Sequence, residues 1–440
     1  MHAGTKRTQS HFKDLLNGAS INIVAKVLAA ALGFISSLLL TRHFGAATIG
    51  IIAIVVSIMN IGANFALCGM GTLTLKLIPT FLTRHGLKAT KQLFRKLLML
   101  SAINAIIAMI AITLFLSFDS TKESITESIN PFLPGFLVIS AVGVIICSNT
   151  LRGLGDYISF SLLDVIPSLL LLLVVLGSIS AGLNNETFIH YYFFIYVGSF
   201  ILALIMVNRY FQKLEHKQHE PNCLDSIRSS QIYKQAIPMF GISVSHILIQ
   251  NIDILCIAFY LDQKSVGIYS IYIKLVAFTT FATLAVNSMF APKVALLYEQ
   301  NNLKTLRRLA KQTTLLSTAV IASLSTGLLI FHEPILTLYG VEFLLDKATL
   351  YILLCTTVLH ASFGSVGFFL NMTGQQNIFL KIMLTAVILN TLLNLILIPL
   401  SGILGAAVAT LITTAVWNTL AMLVIFRKHG YTLFPTRLFA

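Results

Sequence analysis

Residues 236–278 read AIPMFGISVSHILIQNIDILCIAFYLDQKSVGIYSIYIKLVAF. Two apolar segments meet here at a hinge marked by Asp262 and Gly267. A helix needs about 20 apolar residues to cross a hydrocarbon core about 30 Å thick, so each segment reads as a membrane span. His246, Gln250 and Asp253 follow an i, i+4, i+7 spacing, which stacks them on one face of the first helix. Lys274 interrupts the second. The hinge also echoes an earlier stretch, HFGAATIGII at 43–52. Charge inside a span and an echoed hinge raise two questions: is the chain duplicated, and what does its polar interior carry?

Composition agrees with membrane residence. The 440 residues are 56% hydrophobic and 10% charged, with a mean hydropathy of +0.86. Soluble domains carry about 25% charged residues. The net charge of +14 sits in short connections rather than on a nucleic-acid-binding motif, so no nucleic-acid partner is expected. The five cysteines are scattered without CxxC spacing, which indicates neither a zinc site nor a disulfide framework.

Apolar runs and their punctuation give twelve predicted spans: about 18–40, 49–75, 97–117, 132–151, 158–178 and 188–207, then 236–260, 266–291, 313–331, 347–370, 379–399 and 403–426. Lys6, Arg7 and Lys13 precede the first, which is too long for a signal-peptide core and reads as a permanent span. Of the 30 Lys and Arg residues, 24 fall in connections on one side, and only Arg42, Lys122, Lys264 and Lys347 fall on the other. That bias places both termini in the cytoplasm. Only Lys26 and Lys274 are left inside spans.

The halves repeat. Gly50-Ile51 matches Gly267-Ile268, Leu87-Lys88 matches Leu303-Lys304, and Gly155 matches Gly374, at nearly constant offsets and in the same order. The predicted organisation is an N-terminal six-helix lobe over 1–207, a basic cytoplasmic linker over 208–235 and a C-terminal six-helix lobe over 236–440. Both lobes start on the same side, as parallel repeats do, and such transporters hold their ligands near mid-membrane between repeats. Segments 84–97 and 303–313 read as short amphipathic helices resting on the membrane surface.

Ionised groups within spans cost roughly 2.5–3.5 kcal/mol on insertion scales, so they face a hydrated cavity or a partner. Lys26 and Lys274 lie near the midplane, Asp253 about two turns from the outer end of its span, and Asp164 about two turns from the inner end of its own. Asn22 stands one turn before Lys26. Ser57, Asn60 and Asn64 make one polar stripe, and Asn390 with Asn394 another, which helix-to-helix hydrogen bonding also explains. Arg42 and Arg152 lie near span ends, where snorkelling or a place at a cavity mouth is expected. No paired-carboxylate, GxSxG, P-loop or HExxH site appears, so no catalytic residue, metal site or cofactor is expected.

Residues 390–410, NTLLNLILIPLSGILGAAVAT, carry an Asn-x-x-x-Asn, a leucine-rich run into Ile-Pro, and a Gly-x-x-Gly-Ala-Ala. This pattern resembles the penultimate hairpin of the Wzx-type polysaccharide transporters, the flippases of lipid-linked O-antigen repeat units. These belong to the multidrug/oligosaccharidyl-lipid/polysaccharide (MOP) superfamily. LTRHFGAATIGIIA at 40–53 and NIDILCIAFYLDQKSVGIYSIYIKL at 251–275 resemble the starts of that family's two lobes. The resemblance implies an all-α membrane protein with two pseudo-symmetric six-helix lobes of the MATE/MOP type, not an enzyme, in a bacterial inner membrane. Its cargo would be an undecaprenyl-diphosphate-linked oligosaccharide for lipopolysaccharide or a related surface glycan, its polyprenyl tail left in membrane lipid. A glycan polymerase and a chain-length regulator are the implied partners. Lys26, Lys274, Asn60, Asn64, Arg42 and Arg152 would meet the substrate, with Lys26 and Lys274 on the diphosphate. Asp253, His246, Gln250 and Asp164 would couple an ion or line the cavity, Lys26 facing Asp253 and Lys274 across it. The alternative is a cation-coupled multidrug antiporter using Asp164 and Asp253. A membrane-embedded glycan polymerase fits less well, because the outer connections are short.

Overall fold

The computed structural model describes residues 2–118, 132–215, 228–300 and 303–429. Among these residues there are no strands. Thirteen α-helices run in order: α1 (His2–Leu67), α2 (Met70–Phe118), α3 (Phe132–Leu154), α4 (Tyr157–Ser180), α5 (Asn185–Glu215), α6 (Ser229–Tyr260), α7 (Gln263–Glu299), α8 (Leu303–Ile330), α9 (His332–Tyr339), α10 (Lys347–Ser362), α11 (Val366–Met372), α12 (Gln376–Ser401) and α13 (Ile403–His429). Ten helices among the described residues are long and apolar enough to cross a membrane. α1 and α2 are each kinked, at Gly45 and Gly86, and together hold the first three predicted spans. α7, 37 residues long, holds the eighth. About twelve crossings follow, as the hydropathy reading expects, and the chain is a multi-pass membrane protein.

Three boundaries differ from the sequence reading. The second predicted span, 49–75, is interrupted at Cys68 and Gly69, which both take positive φ. The tenth is split between α10 and α11 at residues 363–365. The two expected surface helices are not separate. Residues after Gly86 continue unbroken to Phe118, and 303–313 continue to Ile330. Leu93, Phe94 and Leu97 are buried in a core with Leu73, Val138 and Phe211. The apolar face that reads as membrane-facing is therefore covered by α3 and α5. Residues 216–227 of the expected linker lie outside the described residues.

The chain forms two compact units, one of residues 1–43 and 55–244, the other of 44–54 and 245–440. Each takes in a piece of the other's predicted half. In the second unit the turn at 46–50 packs on the start of α7. A Cβ on Gly50 would collide with the Gln263 carbonyl, and one on Gly267 with the Ala46 carbonyl. Gly50 and Gly267 are related by the 217-residue offset of the repeat, and so are Ala46 and Gln263. Residue i meets j while the equivalent of i meets the equivalent of j, the mark of a two-fold contact. Only glycine lets the two backbones come this close.

Candidate functional site

In the second unit α6, α7, α12 and α13 converge on one carboxylate. Asp253 is 4% exposed. Tyr269 donates its hydroxyl to Oδ2 at 2.8 Å, and Thr410 donates to the same oxygen at 2.5 Å. Asn394 donates its amide to Oδ1 at 2.7 Å and also contacts Asn390 Oδ1 at 3.2 Å. Small residues make this possible. Ala406, Ala407 and Ala409 at the start of α13 are fully buried, so Thr410 can approach α6 closely. The spacing along each helix agrees: Asp253, Asn394 and Thr410 each lie seven residues from the ends at Tyr260, Ser401 and Ile403. At ~1.5 Å per residue they form one layer about 10 Å below those ends.

No cation is bonded to Asp253 among the described residues. Its negative charge is met by hydroxyls and an amide alone. Asn390 Nδ2 and Asn394 Oδ1, both buried, have no hydrogen-bond partner there. The site thus gathers carboxylate, amide and hydroxyl oxygens about a single charge, the donor chemistry that suits a proton or a hard monovalent cation. No cluster of three or more His, Cys, Asp or Glu suited to a metal exists among the described residues.

The expected stripe of His246, Gln250 and Asp253 divides in two. His246 and Gln250 are exposed, with Gln250 Nε2 donating to His246 Nε2 at 3.1 Å. Asp253, one turn further on, is enclosed by α12 and α13 instead of lining an open face. Lys274, on α7, is exposed. Asn390 and Asn394, which helix pairing alone would explain, prove to be part of the carboxylate's surroundings. Thr410 and Tyr269 were missed as partners. Their signal was present in the small-residue run Gly405-Ala406-Ala407 and in the position of Tyr269 two residues after the close-packed Gly267.

The first unit handles charge differently. Lys26 Nζ lies 3.9 Å from Asp164 Oδ2, with side chains 40% and 36% exposed. That distance is an ion pair without a hydrogen bond. Asn22 Oδ1 and Ser161 Oγ, one turn away on the same two helices, are buried without partners. Along this seam α1 and α4 leave a largely apolar cleft of about 400 Å³ lined by Ile21, Val24, Leu28, Ile158, Ser161 and Leu162. Asn60 and Asn64 are half-buried and joined along α1, Asn64 Nδ2 donating to the Asn60 carbonyl at 3.0 Å. The exposed Arg152 guanidinium lies 5.6 Å from the Phe160 ring centroid, a cation–π contact. Arg42 is exposed at the kink beside Gly45.

A model of the family described as "Polysaccharide biosynthesis protein" matches residues 15–292, which include Lys26, Asp164, Asp253 and Lys274. The chain belongs to the polysaccharide biosynthesis protein family. The resemblance read from residues 40–53, 251–275 and 390–410 pointed to the same place. Among its relatives is the probable low-salt glycan biosynthesis flippase Agl15 of Haloferax volcanii, 29% identical over 37% of this chain and 35% of the relative. An uncharacterized membrane protein of Methanocaldococcus jannaschii is 22% identical over 91% of this chain and 82% of its own. The fold is that of MOP-superfamily transporters. The MATE multidrug transporter DinF-BH superposes with a TM-score of 0.66 at 16% identity, over 97% of each chain. The lipid II flippase MurJ superposes at 0.64 and 14% identity, over 91% of this chain and 86% of MurJ.

Proposed function

We propose that this member of the polysaccharide biosynthesis family is a flippase. It moves an undecaprenyl-diphosphate-linked oligosaccharide, an O-antigen or related surface-polysaccharide repeat unit, from the cytoplasmic to the periplasmic leaflet of the inner membrane by alternating access, both termini lying in the cytoplasm. The observation that carries this reading is the family match over residues 15–292. The likeness to Agl15, a probable low-salt glycan biosynthesis flippase, and to the lipid II flippase MurJ supports it. Lys26 and Lys274 supply compact charges for the diphosphate, and Asn60, Asn64, Arg42 and Arg152 supply polar contacts along its way. Asp253 takes up the coupling proton or cation, its charge being the one that its surroundings leave uncompensated. Asp164 holds Lys26 until the anionic head replaces it. His246 and Gln250 line a hydrated face. A glycan polymerase and a chain-length regulator would act on the product.

A multidrug antiporter is the second reading, favoured by the buried Asp253 and the DinF-BH likeness. Deleting the gene separates the two. Flipping predicts loss of surface glycan with drug resistance unchanged. Export predicts the reverse.

A further inference from the structure

The chain has a single tryptophan. In membrane proteins tryptophan concentrates at the two interfaces, where its ring sits among headgroups. Trp417 does not. It is the fifteenth residue of α13, about 21 Å from the Ile403 end at ~1.5 Å per residue. His360 lies 13 residues into α10, and His246 lies 14 residues before the end of α6. The ends at Tyr260, Lys347 and Ile403 share one side of the unit, so all three rings fall in one layer about 20 Å deep. That is two turns beyond the Asp253 layer.

The contacts bear this out. The His360 and Trp417 rings lie 5.3 Å apart at 47°. Phe379 backs the indole at 6.4 Å. Asn418 donates one amide hydrogen to the Thr414 carbonyl at 2.8 Å and the other to His360 Nδ1 at 3.2 Å. His246, in the same layer, accepts from Gln250 at 3.1 Å.

These bonds fix the roles of the atoms. An amide nitrogen only donates, so His360 Nδ1 accepts and Nε2 carries the ring proton. By the same reasoning His246 carries its proton on Nδ1. Asn418 is fully buried, and its Oδ1 has no partner among the described residues. Two imidazoles, two amides and a half-buried indole make a layer that sets hydrogen-bonding groups, one acceptor among them unsatisfied, beside an aromatic ring. His246 and Gln250 are exposed on a spanning helix, where polar side chains favour a hydrated face over lipid.

A pyranose ring presents one apolar C–H face and a rim of hydroxyls that each donate and accept. An indole with neutral polar groups at its edge matches both features. We propose that Trp417, His360 and Asn418, with His246 and Gln250, form a saccharide-recognition subsite for one sugar of the lipid-linked cargo. This rests on the flippase reading and adds to it a place where the glycan, not the diphosphate, is read.

Because Trp417 is alone, tryptophan emission from the intact protein reports this subsite directly. The full chain in nanodiscs is titrated with lipid-linked oligosaccharide extracted from the source membranes. A parallel titration uses undecaprenyl diphosphate, which carries no sugar. The subsite predicts an emission change and protection from iodide quenching with the sugar-bearing lipid only. It further predicts about tenfold weaker binding of that lipid, read by native mass spectrometry, to Trp417→Ala and a partial loss in Trp417→Phe. Binding of the sugar-free lipid stays unchanged in both. If the sugar-bearing lipid binds with no emission change and Trp417→Ala binds it equally well, the subsite is wrong while the flippase reading stands. If neither lipid binds, the flippase reading fails and the subsite with it.

Discussion

The two units each place a carboxylate on a spanning helix, and they neutralise it in opposite ways. In the first, Asp164 shares its charge with Lys26 at 3.9 Å, and both side chains are more than a third exposed. In the second, Asp253 is 4% exposed and is held by Tyr269, Thr410 and Asn394 with no cation bonded among the described residues. A self-neutralised, partly exposed pair costs little to keep and little to break. A buried charge supported only by dipoles is expensive, and in a membrane protein it is retained for function. On the proposed reading the two units divide the work: one offers a cation that an anionic head can take over, and the other an anion that a proton or metal cation can satisfy.

The sharpest break of this contrast is at Asp253. Asp253→Leu leaves the Tyr269 hydroxyl without an acceptor, at about 1–3 kcal/mol, and takes one acceptor each from Thr410 and Asn394, so the purified protein should unfold at a lower temperature. Asp253→Asn keeps the shape and, after rotation of the Asn394 amide, the hydrogen bonds. It should insert and fold normally while transport falls by about 100-fold, the upper range of coupling between sites. Equal thermal stability of the Leu and wild-type proteins would show that the surrounding donors are not committed to this carboxylate.

Next in size is the glycine contact of the second unit. Gly267→Val drives a side chain into the Ala46 carbonyl, an overpacking of about 1–3 kcal/mol or more. Thermal unfolding in detergent should show the loss. Gly177→Val, where a Cβ meets nothing within 4 Å, serves as the control and should change stability far less.

In the first unit the expectation is inverted. Lys26→Ala should change stability by less than about 1 kcal/mol, because the pair is partly exposed and its 3.9 Å separation makes no hydrogen bond. Affinity for the lipid diphosphate should fall about tenfold, as one unshielded phosphate contact is lost. Asp164→Asn frees Lys26 and should bind the diphosphate at least as tightly as wild type. Weaker binding in Asp164→Asn would mean that the pair orients the lysine rather than competing with the substrate.

The smallest effect lies outside the spans. The Lys347 ammonium, hydrogen-bonded at 2.5 Å, holds the Glu333 carboxyl below its ordinary value of 4.5. A depressed carboxylate contributes stability above its ordinary value and loses it as pH falls through the folded value. Glu333→Gln should therefore flatten only the acid limb below about pH 4.5, with no change at neutral pH. Both partners are exposed enough for added salt to erase most of the difference.

Much of the fold was legible because bilayer solvent demands long apolar runs, and their number, the charge bias and the repeat are all one-dimensional patterns. The kinks were partly hidden. Gly45 and Gly86 bend α1 and α2 without ending them, and the break at Cys68–Gly69 lies inside a run that hydropathy treats as continuous. Site residues followed the same division. Lys26, Asp164 and Asp253 announce themselves, since charge in a span is costly. Thr410 and Tyr269 are common in apolar helices and gain meaning only from neighbours 157 and 16 residues away. Periodicity places His246, Gln250 and Asp253 on one face, but it does not reveal that α12 and α13 close over only the last of them. Trp417 was overlooked because one tryptophan in a long helix carries no pattern at all.

The most direct test of the central claim is reconstitution. The full chain is placed in liposomes with lipid-linked oligosaccharide from the source membranes, and exposure of its sugar to an added glycosidase is followed in time. Flipping predicts that the protected fraction becomes accessible with wild-type protein and stays protected with equally well-inserted Asp253→Asn. Protection identical to protein-free liposomes would contradict the flippase reading, and full activity of Asp253→Asn would contradict the role given to its carboxylate.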